Sequence, residues 1–301
     1  MRSCLLVAIL LASWLPIVSE ALPAANPTIG EELQRVADRA GDAAVVVADL
    51  SSAKVLAARN MEVAAGKLVR PGSTLKPFIL LELLDTGKLD AQARLFCRRP
   101  LMIGTKRMDC THPTEISTLD AADAIAYSCN SYVSEVATRL TMGDLVQTLR
   151  RAGLDSPSGL AREESTGRVT RPSSVAELQL EALGDWGIET TPLELLGAYR
   201  RLALRVKAGN LGTAAPIFDG LEGSVSYGMA DAAHVQGFRI AGNTGTAASP
   251  TSARTHGIFV GFAPAALPQI VLVVYVEHGR GMDAAAIAQP IFAAFARSTG
   301  R

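Results

Sequence analysis

Three short runs of residues hold side chains suited to acyl transfer. In Arg70-Pro71-Gly72-Ser73-Thr74-Leu75-Lys76-Pro77-Phe78 a hydroxyl precedes an amine by three positions. With a helix starting at Ser73, both side chains share one face, and the helix N-terminus favours a developing anion. A lysine held against apolar neighbours can lose its proton and activate the hydroxyl. Ser51-Ser52-Ala53-Lys54 has the same spacing. It reads as a hairpin turn with no helix after it, so the Pro-Gly break before an apolar helix singles out Ser73. Ser128-Cys129-Asn130 falls between two helical stretches and could set a hydroxyl and an amide at the mouth of a cleft. By itself it reads more simply as a capped turn. Asn243-Thr244-Gly245-Thr246 follows a strand candidate. Period two places Asn243 and Gly245 on one face, and a glycine there admits close approach to the backbone. A strand-end turn would look the same.

The elements that must position these residues are legible from periodicity and caps. Ile29, Leu33, Val36 and Ala40 have helical spacing. Ala43–Leu50 and Val55–Arg59 are β-rich and joined by Ser51–Lys54, a hairpin. Thr74–Leu84 is an apolar helix. From Ser117 to Val206 the pattern is mostly helical, with helices at Asp120–Tyr127 and Asn130–Leu140. Thr141 caps a third helix, with Asp144 three residues on and Gly153 after its end. Thr191-Pro192-Leu193-Glu194 starts another helix with a cap, a proline and an acid in their preferred places. Val235–Ala241, Gly257–Phe262 and Gln269–Val276 are strand candidates, the last apolar on both faces as in a covered central strand. Asp283–Arg297 is a closing amphipathic helix. The outer parts can build one sheet, with the helical middle inserted as a lobe.

Composition excludes several classes of function. The chain has 301 residues, 49% hydrophobic and 19% charged, with 29 basic and 29 acidic side chains. Such a chain is neither disordered nor surrounded by a basic field for non-specific nucleic-acid binding. Aromatics are 5%, too few for base-stacking platforms. The only long apolar run is N-terminal, so a multi-span membrane protein is excluded. Arg2, the apolar Cys4–Val18 and the small residues of Ser19-Glu20-Ala21 predict a signal peptide over residues 1–21. An uncleaved single-span membrane anchor is the alternative. Either way the rest of the chain works in the periplasm or beyond the cell. Leu22–Thr28 is a Pro/Ala linker, so residues 22–40 comprise linker and first helix.

Cys4 leaves with the signal, and Cys97, Cys110 and Cys129 remain. In an oxidising compartment Cys97 and Cys110 are the natural disulfide pair, a loop closure worth ~3 kcal/mol in the chain-entropy model. Two free buried thiols are the alternative. Cys129 is left over as a small buried hydrophobe. The reading assigns no metal ligand and no cofactor.

In this order, Ser73-x-x-Lys76, Ser128-x-Asn130 and Asn243-Thr244-Gly245 resemble the three motifs of the penicillin-binding, active-site serine family of D,D-transpeptidases and β-lactamases. Ala43–Asn60 is similar to that family's opening hairpin, Gly187–Leu195 to the segment before its Tyr-x-x-Leu-Ala helix (here Tyr199–Ala203), and Gly257–Pro264 to the strand after its third motif. The resemblance covers about residues 40–297. It implies an α/β fold of α+β type: a central, mainly antiparallel five-stranded sheet flanked by helices, with an inserted all-helical lobe at about 90–232. The transpeptidase domain would occupy residues 41–301. It further implies Ser73 as nucleophile, Lys76 as its base, Ser128 as proton relay to the leaving amine and Asn130 as a support for substrate and Lys76. The backbone N–H groups of Ser73 and Thr246 would form the oxyanion hole, and Thr244 and Thr246 would hold the substrate's carboxylate beside Gly245.

One position departs from the pattern. The third motif of the family normally opens on lysine, and here it opens on Asn243. Loss of a charge-assisted bond in a partly desolvated site costs ~1.5–3 kcal/mol. Arg239 precedes Asn243 on the same strand face but four residues away, and Arg254 or His256 on the next strand could supply the charge instead. The implied function is a stand-alone D,D-transpeptidase or D,D-carboxypeptidase of peptidoglycan stem peptides that also binds β-lactams, with other cell-wall enzymes as further partners and no nucleic acid. A membrane is a partner only if the N-terminal segment stays uncleaved. The alternative is a catalytically weakened penicillin- or peptidoglycan-binding module or β-lactam sensor. A β-lactamase is disfavoured, since the chain lacks Glu-x-x-Leu-Asn and its second motif ends in Asn130.

Overall fold

The computed structural model describes residues 28–248 and 254–300. The expected signal peptide and most of the linker lie outside the described residues. Helix α1 (Ile29–Ala37) opens on a reciprocal cap: Thr28 Oγ1 accepts from Glu31 N–H, and the Glu31 carboxylate accepts from Thr28 N–H. It stops before Ala40, and Gly41, at φ +60°, turns the chain towards the sheet.

The hairpin forms as read, with strands β1 (Ala44–Asp49) and β2 (Val55–Arg59). With β3 (Ala241–Ala248), β4 (Thr255–Ala263) and β5 (Ile270–Val276) they make a five-stranded antiparallel sheet in the order β2-β1-β5-β4-β3. The register sets Val46 opposite Val273, Val260 opposite Val273, and Gly257 opposite Thr246. Alternation then feeds two cores. Val46, Ala48, Val271 and Val273 face one core, while Val45, Val47, Leu272 and Val274 face the other. Both sets are fully buried, which explains why β5 lacks a polar face. Each such valine or leucine contributes ~1.5–3 kcal/mol on burial.

The third-motif region differs from the sequence reading. Val235–Ala241 is not a strand: Val235 and Phe238 form only an isolated bridge around Gly237, at φ +73°. The strand starts at Ala241 and carries Asn243–Thr246 inside it, because β4 offers a continuous partner from Ala241 to Ala248. This makes β3 the sheet edge, with one side of its backbone open to the helical lobe.

After β2 come α2 (Met61–Gly66), a short 3-10 turn over Gly72–Leu75, and α3 (Lys76–Asp85). The lobe contributes α4 (Ala121–Ala126), α5 (Asn130–Ala137), α6 (Met142–Arg151), α7 (Val175–Ala182), α8 (Pro192–Lys207) and α9 (Ala215–Ser226). The expected caps at Thr141/Asp144 and Thr191/Glu194 are both reciprocal. The lobe is not purely helical. It also holds three two-residue antiparallel pairs, at 95–96 with 118–119, 102–103 with 106–107, and 168–169 with 188–189. Pairings this short fall below any periodicity window. Helix α10 (Gly281–Ser298) closes the chain and packs on the second core with α1. Among the described residues, no helix is long and apolar enough to cross a membrane.

Two buried glutamates show how differently the lobe treats charge. Glu194 is inaccessible yet accepts from Gly167 N–H, Thr191 N–H and the Thr190 hydroxyl. Glu181 is equally inaccessible, and neither carboxyl oxygen has a partner. Burial pushes its pKa from 4.5 up to about 8. The native state therefore holds a proton that the unfolded chain releases, so stability falls as pH rises from about 4.5 to about 8. Glu181→Gln should raise the melting temperature at pH 8.5 and change it little at pH 5. A flat difference across melts at both pH values would refute this account.

Candidate active site

Ser73 sits in the 3-10 turn before α3, and close backbone packing seats that turn against β3. Gly72 adopts φ +55°, and a Cβ built on it would lie 3.2 Å from Thr246 N and 3.0 Å from Thr246 O. A Cβ on Gly245 would lie 2.3 Å from Pro71 O. Here the third-motif glycine is required by the approach of the nucleophile's own turn. Side chains complete the clamp. Asn243 Nδ2 donates to Ser73 O at 3.1 Å, Tyr199 O–H donates to Thr74 O at 3.0 Å, and Thr74 O–H donates to Pro71 O at 2.8 Å.

Lys76 is fully buried. Its Nζ lies 2.6 Å from Ser128 O, 2.9 Å from Ser128 Oγ and 2.6 Å from Asn130 Oδ1. Burial lowers its pKa from 10.5 to about 8, against an opposing pull from the sulfurs of Cys129 and Cys110. Ser128 sits between α4 and α5 at φ +52°, a conformation serine rarely adopts. Asn130 is locked from its other end, Nδ2 donating to Met108 O at 3.0 Å and Asp109 O at 3.4 Å.

Ser73, Ser128, Asn130, Thr244 and Thr246 line one cleft of about 500 Å³, together with Thr111, Asp231 and Arg280. Lys76 lies beneath it. Asn243 and Gly245 do not line it and instead hold the Ser73 turn against β3. The two threonines differ in what they can offer a ligand. Thr244 Oγ1 donates to Met229 O at 3.3 Å, so its proton is engaged. Thr246 Oγ1 accepts from Gly281 N–H at 2.9 Å, which leaves its proton free to donate. The Ser51–Lys54 turn is elsewhere: Ser52 bonds Asp49, and Lys207 reaches Ser51.

Of the basic residues near the third motif, Arg239 and His256 are committed elsewhere. Arg239 pairs with Glu222 on the surface. His256 is buried against Arg70 O at 2.8 Å, and burial holds its pKa below the usual value, so it stays neutral. Among the described residues lining the cleft, Arg280 is the basic one. Sequence pattern does not single it out, because it precedes α10, 34 residues past Thr246. The signal was its place at the start of a helix that runs back along the sheet.

The expected Cys97–Cys110 disulfide is not formed. All three cysteines are free and buried. Cys110 Sγ instead faces Cys129 Sγ at 3.6 Å, and Cys97 Sγ lies 3.6 Å from His112 Nε2. Loop length between Cys97 and Cys110 misled because folding brings two further residues to the same point. That gathering, with His112 in it, was absent from a sequence reading that assigned no metal ligands.

The chain belongs to the penicillin binding protein transpeptidase domain family, whose sequence profile matches residues 43–297. It is 24% identical over 256 residues to a protein named "Peptidoglycan D,D-transpeptidase FtsI" from Buchnera aphidicola subsp. Schizaphis graminum, covering 75% of this chain and 44% of that one. It is 28% identical over 254 residues to a protein named "Probable peptidoglycan D,D-transpeptidase PenA" from Neisseria flavescens, covering 75% and 62%. The chain thus spans only about half of the length of these relatives. Its fold matches the transpeptidase domain of penicillin-binding protein 3 from Burkholderia pseudomallei with a TM-score of 0.78 at 20% identity, over 90% of this chain and 94% of that one. A structure described as a peptidoglycan glycosyltransferase from Burkholderia ambifaria matches with a TM-score of 0.79 at 19% identity, over 90% and 96%.

Proposed function

We propose that this chain is a peptidoglycan D,D-transpeptidase that works outside the cytoplasm through an acyl-enzyme on Ser73 and is acylated there by penicillin. The observation that carries the reading is Lys76, buried one turn from Ser73 with its amine on both Ser128 and Asn130. A module that binds without forming an acyl-enzyme has no use for a desolvated amine in that place.

The geometry supports a sequence of steps. Neutral Lys76 takes the Ser73 proton as the hydroxyl oxygen attacks the carbonyl carbon of the D,D-peptide bond. The tetrahedral oxyanion is met by the N–H groups of Ser73 and Thr246, whose segments meet at the close Gly72–Thr246 approach. Ser128 Oγ, 2.9 Å from Nζ, passes the proton to the leaving amine. The terminal residue departs with that proton, leaving an ester on Ser73. An acceptor amine then takes the acyl group, or water does in a carboxypeptidase reaction. The Thr246 hydroxyl and Arg280 hold the terminal carboxylate of the stem peptide.

Fluorescent penicillin should label the purified protein covalently, and a donor stem peptide with an acceptor amine should yield cross-linked product with release of the terminal D-residue. No label and no release from folded protein would overturn the reading. Release without cross-linking would assign the carboxypeptidase branch.

A further inference from the structure

Behind the second motif, Cys97, Cys110, His112 and Cys129 are all buried, and one ligand atom from each lies within 4.8 Å of the others. We propose that these four side chains form a tetrahedral Zn²⁺ site that ties the 97–112 loop to the Ser128–Asn130 motif.

Two of the separations match those of zinc ligands, in a set that lies within 4.8 Å, and neither matches a bridge. Zinc bonds of ~2.3 Å to sulfur and ~2.0–2.1 Å to nitrogen put tetrahedral ligand atoms roughly 3.5–3.8 Å apart. The Cys110–Cys129 and Cys97–His112 separations are both 3.6 Å. A disulfide needs its sulfurs at ~2.05 Å. Three thiolates and an imidazole are a soft, closed set that suits zinc and not calcium or magnesium.

The surroundings fit thiolates as well. Ser131 N–H donates to Cys110 Sγ at 3.3 Å, Tyr132 N–H to Cys129 Sγ at 3.5 Å, and Arg99 Nε–H to Cys97 Sγ at 3.5 Å. His112 Nδ1 lies 3.1 Å from Pro113 O. An Nδ1–H donated there leaves the Nε2 lone pair for the metal, the outer partner expected of a ligating histidine. Three thiolates with Zn²⁺ carry a net charge of −1, and Arg99 brings the compensating cation. Its Nη2 lies 2.6 Å from Nδ1, 3.1 Å from Nε2 and 3.4 Å from Pro113 O, so zinc at Nε2 requires the guanidinium to leave the ring and keep Pro113 O and the Cys97 sulfur as partners. Binding releases the remaining thiol protons to solvent and changes no oxidation state.

The site bears on the cleft by position. Cys129 stands between Ser128 and Asn130, and Asn130 Nδ2 holds the carbonyls of Met108 and Asp109 in the same loop. A metal at the cluster therefore braces the motif from both sides. The proposal stands whether or not Ser73 is acylated, since its first readout is metal content.

The full chain, purified without chelator and supplied with zinc, should carry about one Zn²⁺ per molecule by elemental analysis and native mass spectrometry. Cobalt added to the zinc-free chain should give sulfur-to-cobalt charge-transfer absorption and tetrahedral ligand-field bands. His112→Ala and Cys110→Ser should lose at least nine-tenths of the metal, and His112→Cys should keep it. Wild-type protein that stays metal-free with three alkylatable thiols, that contains a bridge between any two of them, or whose metal content is the same in folded His112→Ala would overturn the site. The wild-type measurements decide the matter even if a variant fails to fold.

Discussion

Replacing Lys76 with methionine should slow penicillin acylation of Ser73 by about 10²–10⁴-fold, the usual worth of a positioned general base. Ser73→Ala should abolish the adduct in intact-mass spectra. The lysine variant is informative because its effect has a pH signature. With its pKa held near 8 by burial, only a minority of Lys76 is neutral at pH 7. Wild-type acylation should therefore climb about tenfold per unit of pH towards 8 and then level, while Lys76→Met should be flat over the same range. Stability has a sign of its own. A native amine with a depressed pKa is charged at a cost below about pH 8, and that cost fades between about 8 and 10.5. Wild type should gain stability in that window, and Lys76→Met should not. Acylation by Lys76→Met within threefold of wild type at pH 7 would remove the lysine from the mechanism.

Arg280→Ala should lower the second-order acylation rate by about 10–100-fold, the range expected for one charge-assisted hydrogen bond to a carboxylate. Arg280 lines the cleft beside Thr244 and Thr246, and Asn243, where the family normally has lysine, is buried and spends its amide on Ser73 O. On the proposed reading the cationic role falls to Arg280 at the start of α10. Arg280→Lys should retain most of the rate, since the charge survives. Wild-type acylation should weaken with added salt more steeply than Arg280→Ala does, because screening acts on the long-range part of the attraction. Matched melts check that both variants fold. An unchanged rate in Arg280→Ala would return the carboxylate to the threonine hydroxyls alone.

Much of the site was legible because its chemistry is local. Ser73 and Lys76 share a face through helix geometry, and the Pro71-Gly72 break marks where that helix begins. Ser128-x-Asn130 and Asn243-Thr244-Gly245-Thr246 were each ambiguous alone and became informative only in order. Asn243 was legible as a departure but not in its use. A buried amide bonded to the nucleophile's carbonyl is a long-range contact, 170 positions apart in sequence. Arg280 was missed for the same reason, as was the clamp from Tyr199 to Thr74 O.

The hairpin, the reciprocal caps at Thr141 and Thr191, the doubly buried β5 and the serine–lysine turn were set by the sequence itself. Each rests on contacts within a few residues or on a period of 2 or 3.6 that one chain segment carries alone. Tertiary structure decided what depends on meeting across the fold. It started the third-motif strand at Ala241, because β4 supplies hydrogen-bond partners there. It brought Arg280 to the cleft beside Thr244 and Thr246 by laying the start of α10 against β3. It separated Cys97 from Cys110 as a disulfide pair by adding Cys129 and His112 to the same buried point. Side chains of these kinds carry no period, and only the packed lobe gives them neighbours.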